Sequence, residues 1–380
     1  MIPTISSIPI IQLASGDRLN IQIYKFTGSK LGKKAYLQAN LHGAEIIGNA
    51  VIQQLIDFFL NLDESQLAGE IWLVPVCNPL STNQRSHFFS TGRYNVYDGK
   101  DWNRIFWDYE KEGEDLTAFA KTQLNLEPDE IRNNFLQKIQ KSFAKQLEKI
   151  KSPSSVAFSQ RYRYQLQSLC LDANYVIDLH SSSNQAMDYL FCFRTREASA
   201  KAFLLDYAIL MDEYDGDSFD EAFMKPWLAL EDKLLELGKA VRFDIESWTL
   251  ELGSGMQVNP ESLEKGVQGV KNYLVEKEML QISGFSLPEK ASQKVTFVPK
   301  SKVKKYYAPA GGMIQSRVAL ESFVKPGELL YQILSFDKNT TFPNVIDVRA
   351  EARGLVFDTS TNYGVNEGEY VLSCFEVIDS

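Results

Sequence analysis

The chain alternates short apolar, β-prone runs with stretches in which apolar residues recur every three or four positions. Residues 8–41 read as short strands broken by turns at Ser15-Gly-Asp17, Gly28 and Gly32, the last strand delivering His42. Ile46, Ile47, Ala50, Val51, Leu55 and Phe58 then fall on one side of a helix. The run Ile71–Asn78 reads as a buried strand, followed by a polar stretch from Pro79 to Arg104 that is too irregular for one element. Long structureless stretches inside folded domains are usually functional.

Over about 114–170 the pattern turns strongly helical. Ile131, Phe135, Ile139, Phe143 and Leu147 are spaced by four with Lys, Gln and Glu between them, which predicts a helix packed on the fold's surface and stopped by Ser152-Pro-Ser-Ser155. Strand patterns return at 174–179, 189–193 and 241–251, separated by helical stretches that include Trp227–Lys239, and a helix at 260–280 closes the series. Alternation of this kind predicts an α/β sheet covered by helices. After Pro288 the texture changes to short β-prone runs (Val295-Thr-Phe-Val, Met313-Ile-Gln, Leu329–Leu334, Val345–Val348, Tyr370–Ser373) with turn signals at Ala310-Gly-Gly312 and Lys325-Pro-Gly327. Regular short strands predict a separate β sandwich or barrel. The expected division is a catalytic domain over 1–287, carrying a helical insertion at about 114–170, and a β domain over 288–380.

With 380 residues, 44% hydrophobic and 12% aromatic, the chain is long enough to bury a large core. A formal charge of -9 argues against nucleic acid or an anionic membrane surface as partner, since both need a basic patch. The cysteines Cys77, Cys170, Cys192 and Cys374 show no Cys-x-x-Cys spacing, and the first residues lack a basic region followed by an apolar segment. No apolar run approaches the roughly 20 residues of a membrane span. These features predict reduced thiols and a cytoplasmic location, and they are compatible with a homo-oligomer.

The chain has three histidines, and two of them, His42 and His180, directly follow β-prone runs. Ligands bind beyond the carboxyl ends of parallel strands, so both imidazoles are expected at one rim. His42 and Glu45 are three apart, a spacing that lets two side chains chelate one ion. Two histidines and one carboxylate fill three positions of a tetrahedral zinc and leave the fourth to water. Chance supplies His-x-x-Glu often, so the weight comes from the second strand end, where Asp178 precedes His180 and could orient a ligand. Glu251, at the end of a predicted strand before Gly253 and Gly255, suits a base that takes a proton from metal-bound water. The plainer reading is one surface glutamate among 49 acidic residues. In the loop over 78–106, Asn78, Arg93, Asp98, Asn103 and Arg104 are candidate polar contacts, arginine being suited to carboxylates and oxyanions. Surface salt bridging is the commoner fate of such arginines. His87 has no partner in the pattern and reads as a loop residue, and the cysteines read as core fillers.

Taken in order, His42-Gly-Ala-Glu45, Asn78-Pro79, Arg93, Asp98-Gly-Lys-Asp-Trp-Asn103-Arg104-Ile-Phe106, Asp178-Leu-His180 and Thr249-Leu-Glu251-Leu-Gly253 resemble the succinylglutamate desuccinylase/aspartoacylase family, which is related to the zinc carboxypeptidases. The resemblance covers nearly the whole chain. It implies one Zn2+ held by His42, Glu45 and His180, Arg93 polarising the scissile carbonyl, Asn103 and Arg104 holding a substrate carboxylate, and Glu251 as general acid/base. It also implies a carboxypeptidase-like mixed sheet flanked by helices, then a smaller all-β domain similar to a biotinyl/lipoyl-type sandwich, with turns at Ala308–Gly312 and Lys325–Glu328. Three features depart from the family pattern. The insertion over 114–170 is longer than usual, Trp102 stands where leucine is common, and the tyrosine that some relatives contribute from the C-terminal part has only Tyr306 and Tyr307 as candidates. The expected activity is zinc-dependent hydrolysis of the amide bond of an N-acyl amino acid or similar small carboxylate. The alternatives are a metallocarboxypeptidase acting on peptide C-termini and a non-catalytic ligand-binding protein.

Overall fold

The computed structural model describes residues 1–151, 157–214, 216–282, 294–336, 338 and 342–376. Nine strands build one sheet: β1 (Thr4–Gln12), β2 (Arg18–Thr27), β3 (Lys30–Ala39), β4 (Ala68–Val74), β5 (Tyr175–Ser182), β6 (Tyr189–Phe193), β7 (Tyr207–Met211), β8 (Glu246–Ser254) and β9 (Thr296–Pro299). Their order across the sheet is β1-β2-β4-β3-β5-β8-β6-β7-β9. The four central strands β4, β3, β5 and β8 are mutually parallel, whereas β2 joins β4, and β6 joins β8, antiparallel, so the sheet is mixed.

The α-helices of five or more residues among the described residues are α1 (Ile47–Leu60), α2 (Pro79–Asn83), α3 (Leu116–Gln123), α4 (Pro128–Lys151), α5 (Phe158–Gln167), α6 (Phe219–Glu236) and α7 (Pro260–Glu276). Side chains alternate across a strand, so each central strand feeds two cores. Tyr175, Ile177 and Leu179 of β5 pack with Val51, Leu55 and Phe59 of α1 and Val267 and Val270 of α7. Val176, one residue out of phase, faces the other core, built from α4, α5 and α6. Asp178 and His180 continue that second row.

The spacing by four in the insertion holds: Ile131, Phe135, Ile139 and Phe143 of α4 are all buried, and the Phe135 ring meets Trp227 edge-on at 5.2 Å. Burying a side chain of this size contributes roughly 1.5–3 kcal/mol, so packing, not the polar outer face, keeps α4 against α5 and α6. The helix stop expected at Ser152–Ser155 lies outside the described residues. Helix α6 begins at Phe219, upstream of the expected Trp227, because Phe219, Ala222, Phe223 and Met224 already face the core. Tyr207–Met211 is an additional strand whose short apolar run carries no period that separates strand from helix.

The C-terminal part forms two antiparallel sheets from β10 (Val303–Tyr307), β11 (Gly312–Gln315), β12 (Leu329–Ser335), β13 (Asn344–Arg349), β14 (Gly354–Thr359) and β15 (Tyr370–Glu376). They enclose Tyr306, Ile314, Leu330, Ile333, Val356 and Leu372. The boundary expected at 287/288 lies outside the described residues. Two strands cross between the parts. Thr296–Pro299, expected among the C-terminal strands, instead extends the large sheet parallel to β7, and Gln185–Ala186 pairs with β14. No helix among the described residues is long and apolar enough to cross a membrane. Cys77, Cys170, Cys192 and Cys374 are free and buried.

Candidate metal centre

The strand end that delivers His42 is shaped by Asn40, which sits at φ +65, a conformation that Asn tolerates better than most side chains. Its amide donates to the carbonyls of His42 at 3.1 Å and Glu45 at 3.3 Å, and its oxygen accepts from the Thr82 hydroxyl. The loop closes with Glu45 N donating to His42 O at 3.1 Å, just before α1 begins. Asn78 underpins it: its amide donates to Leu41 O at 3.0 Å while its oxygen caps α2 through Ser81 N at 3.1 Å. Asn78 is therefore a scaffold residue.

The second histidine arrives by strand register. Across parallel β5 and β8, Asp178 lies beside Thr249 and His180 beside Glu251, and across antiparallel β8 and β6, Glu251 lies beside Tyr189. His180, Glu251 and Tyr189 thus form one row on one face. The imidazoles of His42 and His180 approach with ring centroids 5.3 Å apart. Glu45 stands between them, Oε1 at 2.9 Å from His42 Nδ1 and Oε2 at 2.7 Å from His180 Nδ1.

Each imidazole has a second carboxylate on its far side. His42 Nε2 lies 2.9 Å from Asp101 Oδ1. His180 Nε2 lies 2.9 Å from Asp178 Oδ2, a charge contact without hydrogen-bond direction. The result is a buried chain of alternating charge, Asp101–His42–Glu45–His180–Asp178. Burial alone would lower both histidine pKa values. Glu45 and Asp101 outweigh that for His42, and Asp178 and Glu45 outweigh it more strongly for His180, so both are raised. Burial would raise Glu45, but His42 and His180 hold it well below the usual carboxylate range.

His42, Glu45 and His180 offer ligand atoms that all lie within 4.8 Å of one another. Both Nδ1 atoms face the Glu45 carboxylate, while Asp101 engages His42 Nε2 and Asp178 lies against His180 Nε2, carboxylates placed where metal-bound histidines commonly have outer support. A divalent cation exchanging for two Nδ1 protons leaves the net charge unchanged. The donor set therefore suits such an ion.

Arg93 reaches this chain from the loop after α2. Its Nε lies 3.0 Å from Asp101 Oδ2, its Nη1 lies 3.5 Å from Glu45 Oε1, and Nη1 donates to Ser183 Oγ at 3.2 Å. Two glycines permit that approach: Gly43 N donates to Gly92 O at 3.0 Å, and a Cβ on Gly43 or Gly92 would lie 2.1 or 2.0 Å from Ser81 O. Gly92→Ala must push the Arg93 loop off α2. An overpacking cost of about 1–3 kcal/mol is expected in denaturant unfolding, and an unchanged midpoint would contradict the close approach.

Glu251 is the remaining acid in the row. Its Oε2 is buried without a hydrogen-bond partner among the described residues. Burial pushes its pKa up, His180 pulls it down and Glu45 pushes it up again, to about 7. A carboxylate poised there can both take and give a proton near neutrality.

Asn103 and Arg104 sit in a short turn over Trp102–Arg104. The Asn103 side-chain oxygen accepts from Phe219 N at 2.8 Å, anchoring the start of α6. Arg104 is exposed, with Nη1 donating to Asn103 O at 2.6 Å and no carboxylate partner among the described residues. Asp98 is not brought to the cluster. It accepts from Lys100 N and the Ser159 hydroxyl, and Asp101 takes the place beside His42. Asp101 and Ser183 were not singled out from sequence. Asp101 carries no distinguishing signal, since like Asp98 it accepts from the backbone N–H two residues on, here Asn103 N at 2.8 Å. Tyr306 accepts from Glu351 N within the C-terminal sheets, and Tyr307 packs edge-on to Tyr370. His87 lies in an exposed hairpin tip against Phe88.

Trp102 and the helical segment expected over 114–170 meet in space. Trp102 is fully buried and packs edge-on against Tyr162 at 5.3 Å and Phe158 at 6.1 Å, both on α5 of the insertion. The Trp102 side chain beneath the Asn103 turn is covered by α5.

Comparisons with known proteins agree with this architecture. A structure of a succinylglutamate desuccinylase/aspartoacylase family protein from Shewanella amazonensis SB2B is 26% identical, with 98% of each chain covered and a TM-score of 0.84. One from Shewanella frigidimarina NCIMB 400 is 24% identical, covering 98% of this chain and 97% of that one, with a TM-score of 0.87. The product-bound ectoine utilization protein EutE (DoeB) from Ruegeria pomeroyi, 16% identical over 99% of this chain and 96% of its own, shares the fold at a TM-score of 0.66. No curated protein matches the sequence. The succinylglutamate desuccinylase/aspartoacylase catalytic domain matches residues 31–276, a span that runs from the strand before His42 to the helix after Glu251. By that match over most of its length, the chain belongs to the succinylglutamate desuccinylase/aspartoacylase family.

Proposed function

We propose that this protein is a zinc-dependent deacylase that cleaves the amide bond of an N-acylated amino acid or similar small carboxylate. Membership of the family makes it an amide hydrolase. The observation that carries the finer reading is Glu251: a carboxylate raised to about 7, its Oε2 buried without a hydrogen-bond partner among the described residues, in register with His180 beside the His-Glu-His donor set.

His42, Glu45 and His180 would hold the ion, which when bound lowers the pKa of a water and polarises a carbonyl. Glu251 accepts a proton at Oε2 and returns it to the departing amine. Burial favours the neutral carboxylic acid, so the proton is held until the nitrogen takes it. Arg93, a fixed positive charge against Glu45 and Asp101, supports the oxyanion that develops on the carbonyl. Asn103 and Arg104 hold the substrate carboxylate, Arg104 having no acidic partner of its own. The same reading divides the chain into a catalytic domain over 1–287 and a β domain of biotinyl/lipoyl-like type over 288–380, with β9 as that domain's contribution to the large sheet.

The test is a panel of N-acetyl and N-succinyl amino acids set against short peptides, assayed by amine release with zinc-loaded protein. Hydrolysis of acyl amino acids with kcat/KM at least about tenfold above any peptide is expected. Cleavage confined to peptides would replace this reading with a carboxypeptidase. Retained zinc without turnover on either set would point to a binding protein.

A further inference from the structure

The C-terminal sheet grips the loop that follows His180. Gln185–Ala186 adds to the edge of β14, with Ala186 opposite Asp358 and Gln185 opposite Thr359, and Met187 N donates to Phe357 O at 2.9 Å. At that crossing Asp358, 7% exposed, accepts from three donors. The Ser182 hydroxyl donates to Oδ2, the Asn184 amide donates to Oδ1 at 3.2 Å, and the Tyr370 hydroxyl of β15 donates to Oδ1 at 2.5 Å. Asn184 N donates in turn to Ser182 Oγ at 3.1 Å, closing the turn on itself.

Between the two residues that Asp358 holds stands Ser183. Its hydroxyl donates to Glu45 Oε1 at 3.3 Å and accepts from Arg93 Nη1 at 3.2 Å. Ser183 is therefore the piece of chain that ties Glu45 to Arg93, and both neighbours of Ser183 are fastened to one carboxylate of the C-terminal sheet. A carboxylate with three donors and almost no water contact fixes the turn more firmly than a flexible loop could, because charge-assisted hydrogen bonds are the strong ones and a buried acceptor is costly to leave unmade.

We infer that Asp358 is a positioning residue for the metal centre: through the Ser182–Asn184 turn it sets Ser183 against Glu45 and Arg93, so the C-terminal sheet helps shape the site from outside the catalytic part. This rests on the proposed metal site, but the clamp itself is a property of the fold and can be read separately. Outer partners of metal ligands typically change affinity by about 10–100-fold when removed. Asp358 acts through Ser183, so its removal falls at the low end.

The experiment uses the full chain and Co2+ alone as probe, with binding followed by the cobalt absorption bands. Asp358→Ala and Ser183→Ala are each expected to weaken Co2+ binding by about 10-fold, and the double variant to be no weaker than about the worse single one, since both remove the same link. Asp358→Asn keeps an oxygen for Asn184 and Tyr370 and an amide that can donate to Ser182, so binding within about twofold of the parent is expected. Hydrogen exchange in peptides spanning 180–188 should quicken in Asp358→Ala and not in Asp358→Asn. Multiplying losses in the double variant, a parental Co2+ affinity in Asp358→Ala, or unchanged exchange in that variant would each overturn the inference. Should the parent itself bind no Co2+, the metal-site reading fails, and the exchange comparison still decides whether Asp358 holds the turn.

Discussion

Glu251→Gln is expected to lower kcat by about 10²–10⁴-fold with the zinc content unchanged, because the amide keeps the shape of the side chain and removes the proton carrier. Steady-state kinetics on the best N-acyl amino acid, paired with elemental analysis of the same preparation, checks it. A parental rate with metal retained would remove Glu251 from the mechanism.

The same substitution has a stability signature of opposite sign. Glu251 is raised to about 7 in the fold, above the ordinary glutamate value of about 4.3 that applies when unfolded. The unfolded chain therefore ionises first. With chelator present, Glu251 costs nothing below pH 4, costs progressively more as pH rises from about 4 to 7, and costs its full amount, on the order of 3–4 kcal/mol, above that. Glu251→Gln should leave stability unchanged at low pH and raise it at pH 8. A catalytic group held against its own preference is expected to give this crossed result, while a glutamate serving only structure would lose stability on substitution.

His180→Ala carries the second large effect. It removes a proposed ligand and leaves Asp178, which has no solvent contact, beside Glu45 without the imidazole that separates them. Zinc affinity is expected to fall by more than about 100-fold, beyond the range seen when only an outer partner is lost, and activity with it. The chain also loses about 3 kcal/mol or more of stability, since a buried carboxylate is left unpaired. Zinc binding to the parent should show a matching pH dependence. Both histidines hold their protons more tightly than usual, His180 the more strongly, so the ion must displace up to about two of them, and affinity falls with pH already above the ordinary imidazole range. Zinc titrations at several pH values, with proton release read from buffers of different ionisation enthalpy, check this. A pH-independent affinity would mean that Nδ1 of neither histidine binds the ion.

Much of this site could be read from the sequence because the strands deliver it. A β-prone run followed by histidine puts an imidazole at a strand end, and Tyr175–Leu179 and Lys34–Ala39 do so on adjacent parallel strands. The strand end that carries Glu251 was legible in the same way, and the structure sets that strand beside the one carrying His180. What sequence could not supply was register and distant closure. Asp98 and Asp101 are equally polar on paper, and only the backbone path of the loop decides that Asp101 meets His42. Asn78 looks like a site donor until Leu41 and Ser81 are found to use both ends of its amide. The crossing of Thr296–Pro299 into the large sheet, and of Gln185–Ala186 onto β14, are pairings between segments more than eighty residues apart, and nothing in local periodicity encodes a partner at that distance. The pairing of Trp102 with α5 is a case between these. Trp102 and the helical pattern over 114–170 were visible separately, and their contact was not.

The most direct test is anomalous diffraction at the zinc absorption edge from crystals grown with zinc, compared with His180→Ala crystals grown identically. One strong peak bonded to Nδ1 of His42, Nδ1 of His180 and the Glu45 carboxylate, with Glu251 facing it and the peak lost in the variant, is the expected result. A peak held elsewhere, or no peak within bonding reach of both imidazoles, would contradict a catalytic zinc assembled from these three side chains.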